Sequence, residues 1–124
     1  MKKEALDQFG RILMERGRDR TVVNWDKILD GTMKGKSCEA IKQRLAHLSP
    51  EQIEVVRWLV PQIVDTSLHY VLWALEQENS ISLLIKDEHG EMHNLREASD
   101  GLPGELYTED GWIARFSKQR KGAF

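Results

Sequence analysis

The run Leu48-Ser49-Pro50-Glu51-Gln52-Ile53 constrains this chain more than any other. Ser49 is a strong N-cap, because its hydroxyl can accept a hydrogen bond from an amide that the first helical turn leaves unpaired. Pro50 suits the first helical position, where no amide donor is needed and the ring presets φ. Gln52 stands where a capping box needs its polar partner, and Leu48 with Ile53 can close a hydrophobic staple over the turn. A helix therefore starts here, and the apolar sequence that follows sustains it to Glu78. Pro61 lies inside that span. Proline removes one intrahelical hydrogen bond and crowds the carbonyl of Arg57. The sequence thus predicts either a long helix kinked at Pro61 or two helices meeting near Val60.

Shorter helices precede it. Leu6, Phe9, Ile12 and Leu13 recur at helical spacing over Lys3–Arg16, with Gly17 as a stop. Gly10 inside that helix costs up to about 1 kcal/mol relative to alanine. Thr21 can cap a second helix carrying Val22, Trp25, Ile28 and Leu29 and ending at Gly31. Ser37 can cap a third, Cys38–His47. After Asn79-Ser80 the period changes to two: Ile81, Leu83 and Ile85 alternate with their neighbours, Asp87–Gly90 is turn chemistry, and Glu91–Leu95 can return as a partner strand. A second hairpin is predicted from Glu105–Thr108 and Trp112–Ser117 around Glu109-Asp110-Gly111. The expected fold class is α+β, with three short N-terminal helices, one long or kinked helix, and a small C-terminal antiparallel sheet of two hairpins. Residues 1–117 form one domain, helical over 1–78 and β over 79–117, and 118–124 read as a basic flexible tail.

Charge is unevenly spread. Residues 1–47 carry 11 basic and 7 acidic groups, residues 48–112 carry 3 and 13, and residues 113–124 carry 4 basic groups and no acidic one. The acidic middle argues against nucleic acid as the main ligand, since phosphate neutralisation needs concentrated Lys and Arg. A chain of 124 residues buries about two-thirds of its unfolded surface and needs no metal or disulfide staple. The single cysteine, Cys38, forbids an internal disulfide and favours a reducing compartment. Acidic Glu4 and Asp7 interrupt any leader-like apolar core, and no uncharged stretch is long enough to cross a bilayer. The expectation is a cytoplasmic protein with no membrane segment and no cofactor.

Few residues carry chemistry. The loop Gly31-Thr32-Met33-Lys34-Gly35-Lys36-Ser37 has one residue too few between its glycines for a phosphate loop, and it follows a helix rather than a strand. Cys38 has a helix N-terminus and Lys36 beside it but no nearby base, so it reads as a small apolar residue. His89 and His93 flank a hairpin turn, where their rings need not converge on a metal. Asp65 and His69 are four apart on the long helix and share a face. They form an intrahelical pair, or a ligand or metal pair completed from elsewhere. With Trp58, Gln62 and Trp73 they make a ridge opposite an apolar stripe of Ile53, Val56, Val60, Ile63, Val64, Ser67, Leu68, Val71 and Leu75. A helix with two such faces is buried on both sides or uses one for a partner.

Three stretches, taken together, carry a resemblance: Leu48-Ser49-Pro50-Glu51-Gln52, then Asp65-Thr66-Ser67-Leu68-His69-Tyr70-Val71-Leu72, then Gly104-Glu105-Leu106-Tyr107 with Trp112-Ile113-Ala114-Arg115. Over roughly residues 27–116 the chain resembles a family of small, functionally uncharacterised bacterial proteins with that helix start, an aspartate and a histidine four apart on a helix, and a β-rich end. The resemblance implies a cytoplasmic bacterial domain and adds weight to Asp65 and His69, but it implies no activity. The functional expectation is a non-enzymatic protein-interaction domain, homodimeric in one version, that uses Trp58, Gln62 and Trp73 on the second face of the long helix. The alternatives are a small-molecule or metal-dependent site around Asp65 and His69, and an immunity or antitoxin-type inhibitor whose acidic surface blocks a basic toxin.

Overall fold

A computed structural model describes residues 2–120. The chain is α+β, with helices dominating. Helix α1 (Lys2–Ile12), a π-helical segment (Leu13–Arg18) and α2 (Asp19–Leu29) form one continuous rod. Then come α3 (Lys36–Leu45) and α4 (Pro50–Gln77), the hairpin β1 (Leu84–Lys86) and β2 (Met92–Asn94), α5 (Leu95–Ala98), a 3-10 turn (Pro103–Leu106) and α6 (Trp112–Phe116). The strands are antiparallel, pairing Leu84 with Asn94, Ile85 with His93 and Lys86 with Met92.

The capping box forms as its residues dictate. Ser49 Oγ accepts the Gln52 amide at 3.2 Å, and Gln52 Oε1 accepts the Ser49 amide at 2.8 Å. Pro61 neither splits nor ends the helix that follows. The carbonyl of Arg57, which loses its amide donor to Pro61, accepts Arg120 Nη2–H at 3.1 Å instead. The hydrogen bond that proline deletes is thus replaced from the C-terminal segment, which satisfies a partly buried backbone acceptor.

Gly17 does not stop the first helix. The buried positions Leu6, Gly10, Met14, Arg18 and Val22 are spaced four apart. In an α-helix that spacing drifts by about 40° per step. The wider π turn takes up the drift and keeps one side of the rod inward. The third helix begins earlier than expected, at Lys36, with Gly35 as its N-cap at φ 126° in place of Ser37.

The second predicted hairpin is absent: its residues form the 3-10 turn and α6. Trp112, Ile113 and Phe116 fall on one helical face and all enter the core. The alternation Ile113, Arg115, Ser117 imitates a strand, but burial of three apolar groups at helical spacing outweighs it. Gly111 makes the turn feasible, since a Cβ there would lie 2.0 Å from the Tyr107 carbonyl oxygen. The first hairpin is shorter than expected because Asn94 caps α5, its Oδ1 accepting the Arg96 and Glu97 amides at 3.0 and 3.3 Å.

Leu6, Met14, Leu72, Leu95, Leu102, Leu106, Trp112, Ile113 and Phe116 make the core, between α1, the C-terminal half of α4 and the chain after β2. The N-terminal half of α4 packs antiparallel on α2, with Arg18 beside Asp65 and Asp26 beside Arg57. The residues read as the start of a flexible tail are tied down in the structure. Lys118 N–H donates to Asp19 Oδ2 at 2.8 Å, and Arg120 grips Asp26 with bonds of 2.7 and 3.0 Å. Residues 121–124 of that tail lie outside the described residues.

Candidate functional site: the outward face of α4 and the polar cluster behind it

Asp65 and His69 are turned to different partners. Asp65 is buried and takes a two-pronged ion pair from Arg18, Nε to Oδ1 at 2.6 Å and Nη2 to Oδ2 at 3.2 Å. Arg18 has 0% of its surface exposed. A buried guanidinium must spend its donors, and Arg18 does so: Nη1 reaches Ser117 Oγ at 2.8 Å, and Nη2 also reaches the Arg120 carbonyl at 2.5 Å. Ser117 Oγ–H in turn donates to Asp19 Oδ1 at 2.5 Å. The π-helical segment ends at Arg18, so the same wide turn that keeps the rod in phase aims this side chain at α4. Both carboxylate oxygens of Asp65 are therefore committed to holding α2, α4 and the C-terminal segment together.

His69 is half-buried. Its Nδ1 shares a hydrogen bond of 2.9 Å with the hydroxyl of Tyr107, which follows the 3-10 turn. The Tyr70 ring lies edge-on to it, with centroids 4.9 Å apart. Burial, with smaller contributions from the charges of Asp65 and Tyr70, pushes the Tyr107 hydroxyl pKa upward, so Tyr107 stays protonated and available for this bond. The pair orients the loop after Pro103 against α4.

With Asp65 drawn inward, the side of α4 that faces solvent differs from the one the apolar stripe suggested. Val60, Pro61, Asp65 and Leu72 are its buried residues. Ile63 and Val71, expected in the core, are 60% and 55% exposed. Trp58 and Trp73 stand outward at 60% and 50%, Gln62 is half-buried, and Val55, Leu59 and Tyr70 join them on the surface. Leu59, Ile63, Thr66, Tyr70 and Trp73 follow one another at steps of four and three, the spacing of a helix seam that receives a second helix. A shallow groove at its centre is lined by Gln62, Ile63, Thr66, Ser67 and Tyr70.

Between Arg57 and Glu76 the only Asp, Glu, Lys, Arg or His side chains are Asp65 and His69, and Asp65 points inward. The face is therefore apolar and nearly free of charge, so covering it carries little desolvation cost. Trp58, Gln62 and Trp73 are legible in the sequence as a ridge. Leu59, Ile63 and Tyr70 carry a signal too, the four-three spacing, which the broader apolar stripe obscures. Arg18 and Tyr107 carry none, because their partners lie far away in the chain.

Among the described residues no helix is long and apolar enough to cross a membrane. No family model matches the chain, and no curated protein or solved structure does so.

Proposed function

We propose that this protein is a non-enzymatic protein-interaction module that self-associates through the outward face of α4. The observation that carries this reading is the uncharged seam Leu59, Ile63, Thr66, Tyr70 and Trp73, flanked by exposed Trp58 and Val71. The exposed parts of its aromatic and aliphatic side chains amount to roughly 500 Å² of apolar surface. Homodimer interfaces are about 65% apolar, so that area corresponds to roughly 800 Å² per copy, the size of a standard stable interface. A patch of that size lies in the upper part of the range for the largest apolar patch on a monomer, and such patches are often functional.

A second copy of α4 suits this face better than a charged partner, because the seam offers no charge to match. Packed antiparallel about a two-fold axis at Thr66 and Ser67, Ile63 of each copy faces Tyr70 of the other. The small residues at the centre let the backbones approach. The same pairing sets Arg57 of each copy opposite Glu76 of the other, so the two ends of the seam meet with opposite charges. A ligand or metal pair at Asp65 and His69 has less support, since Arg18 occupies both oxygens of Asp65. The reading places the protein in a reducing, cytoplasmic setting, in keeping with its single half-buried Cys38, and the bacterial family resemblance rests on the sequence motifs alone.

Light scattering and sedimentation across a concentration series test it. The expected result is a dimer that forms reversibly across the concentration series. Trp58→Gln with Trp73→Gln, and separately Ile63→Glu, should give folded monomers. A wild-type monomer at every concentration, or folded variants that still dimerise, refutes the proposal.

A further inference from the structure

The tip of the β1–β2 hairpin gathers metal-ligating side chains, none of which belongs to α4. Asp87, Glu91 and His93 each bring one donor atom to within 4.8 Å of the others. The hairpin itself fixes the first and last. Asp87 Oδ1 accepts the backbone N–H groups of His89 and Glu91, each at 2.9 Å, which leaves Oδ2 facing β2. His93 is held opposite Ile85 by the strand ladder, and its Nε2 lies 2.8 Å from Asp87 Oδ2. The Glu91 side chain is exposed and has no hydrogen-bond or ion-pair partner among the described residues.

We infer that Asp87, Glu91 and His93 form a binding site for a divalent first-row transition ion, of which zinc is the representative. The donor chemistry selects the class. Calcium and magnesium want all-oxygen shells, whereas one imidazole with two carboxylates suits zinc, manganese or ferrous iron. The geometry needs little change. Donors bound at about 2.1 Å around a tetrahedral ion sit roughly 3.4 Å apart. The Asp87–His93 contact therefore opens by about half an ångström, and one rotation of the exposed Glu91 side chain closes the third position. His93 would bind through Nε2 as the neutral tautomer with its proton on Nδ1. Two carboxylates and a neutral imidazole leave a net charge of −2 for a divalent ion to neutralise. The remaining coordination positions fall to water, so the site is weaker than a four-ligand structural one. The strands have only three residues each, and a hairpin that short is marginal alone. An ion bridging the turn to β2 would clamp it.

Zinc titration of tag-free protein by calorimetry and by amide NMR tests this, and it is independent of the oligomeric state. One zinc ion per chain should bind, with shift changes confined to residues 85–95. Glu91→Gln removes a ligand without touching a hairpin hydrogen bond. Asp87→Asn removes another while keeping the Oδ1 acceptor. Each should weaken zinc by more than about tenfold, since even outer-shell partners of a metal site cost that much. His47→Ala should leave binding unchanged. No saturable one-to-one binding, binding that survives both hairpin substitutions, or binding abolished by His47→Ala overturns the site.

Discussion

Replacing Gly10 by alanine sets two opposed effects against each other, and the structure decides the sign. In a helix interior alanine is favoured over glycine by about 1 kcal/mol. The new methyl group, however, would stand 2.4 Å from Trp112 Nε1 and 2.5 Å from Cδ1 and Cε2. Ordinary carbon contacts are about 3.5–4.0 Å, so the overlap is about an ångström. Trp112 cannot withdraw. It is fully buried at the centre of the core, with the Phe9 ring packed edge-on at 5.6 Å between centroids. Overpacking of this kind costs about 1–3 kcal/mol, occasionally more, and this overlap belongs at the upper end. The net expectation is a loss of about 2 kcal/mol, or a fall in Tm of roughly 5–10 °C for a chain this long. Gly17 is the matched control. It lies in the same rod, but a Cβ there meets only Leu13 Cδ1 at an ordinary 3.7 Å. Gly17→Ala should therefore stabilise by up to about 1 kcal/mol. Thermal and urea unfolding of both variants provide the assay, and a cycle with Trp112→Phe isolates the contact: the smaller ring should recover part of the Gly10→Ala loss. A Gly10→Ala protein as stable as wild type, or the same sign at both glycines, refutes the packing argument.

Other expectations follow from the buried polar cluster. Arg18→Met leaves Asp65 buried without its partner and should cost about 3–5 kcal/mol by urea midpoint, while adding Asp65→Leu should recover most of it. Arg120→Ala should cost about 1 kcal/mol, measured the same way. It should cost less in a Pro61→Ala background, where residue 61 regains an amide for the Arg57 carbonyl. Asp26 has its pKa lowered chiefly by the hydrogen bonds from Arg120, with burial opposing and the nearby charges of Arg120 and Arg57 assisting. A depressed folded pKa means this stabilisation is complete above the ordinary carboxylate range and is lost as pH falls through the folded value. Tm followed from about pH 6 to about pH 2 should therefore drop less steeply in Asp26→Asn than in wild type.

How much of this was legible in the sequence differs from element to element. The start of α4 was, because a capping box and an N1 proline act within one turn. The first hairpin was, because Asp87–Gly90 carries its own turn chemistry. The path through Pro61 was not, because the donor that replaces the lost amide is Arg120, on the far side of the chain's sequence. The helical form of Trp112–Phe116 was missed for a related reason. Five residues can read as strand or helix, and only the cavity they fill chooses between them.

The same division holds at the candidate surface. The sequence already placed Asp65, His69, Trp58, Gln62 and Trp73 on one helix with more apolar surface than a single core contact can use. Which of them face inward depended on Arg18. A guanidinium removed from water must find a carboxylate, and with Asp65 turned inward to Arg18 the side of α4 that carries Ile63, Tyr70 and Val71 is left outside. Local sequence determined where α4 starts and that it has two faces, because capping and periodicity are short-range. Tertiary structure alone decided which face is covered, because that choice rests on satisfying one buried charge against partners 47 and 99 residues away.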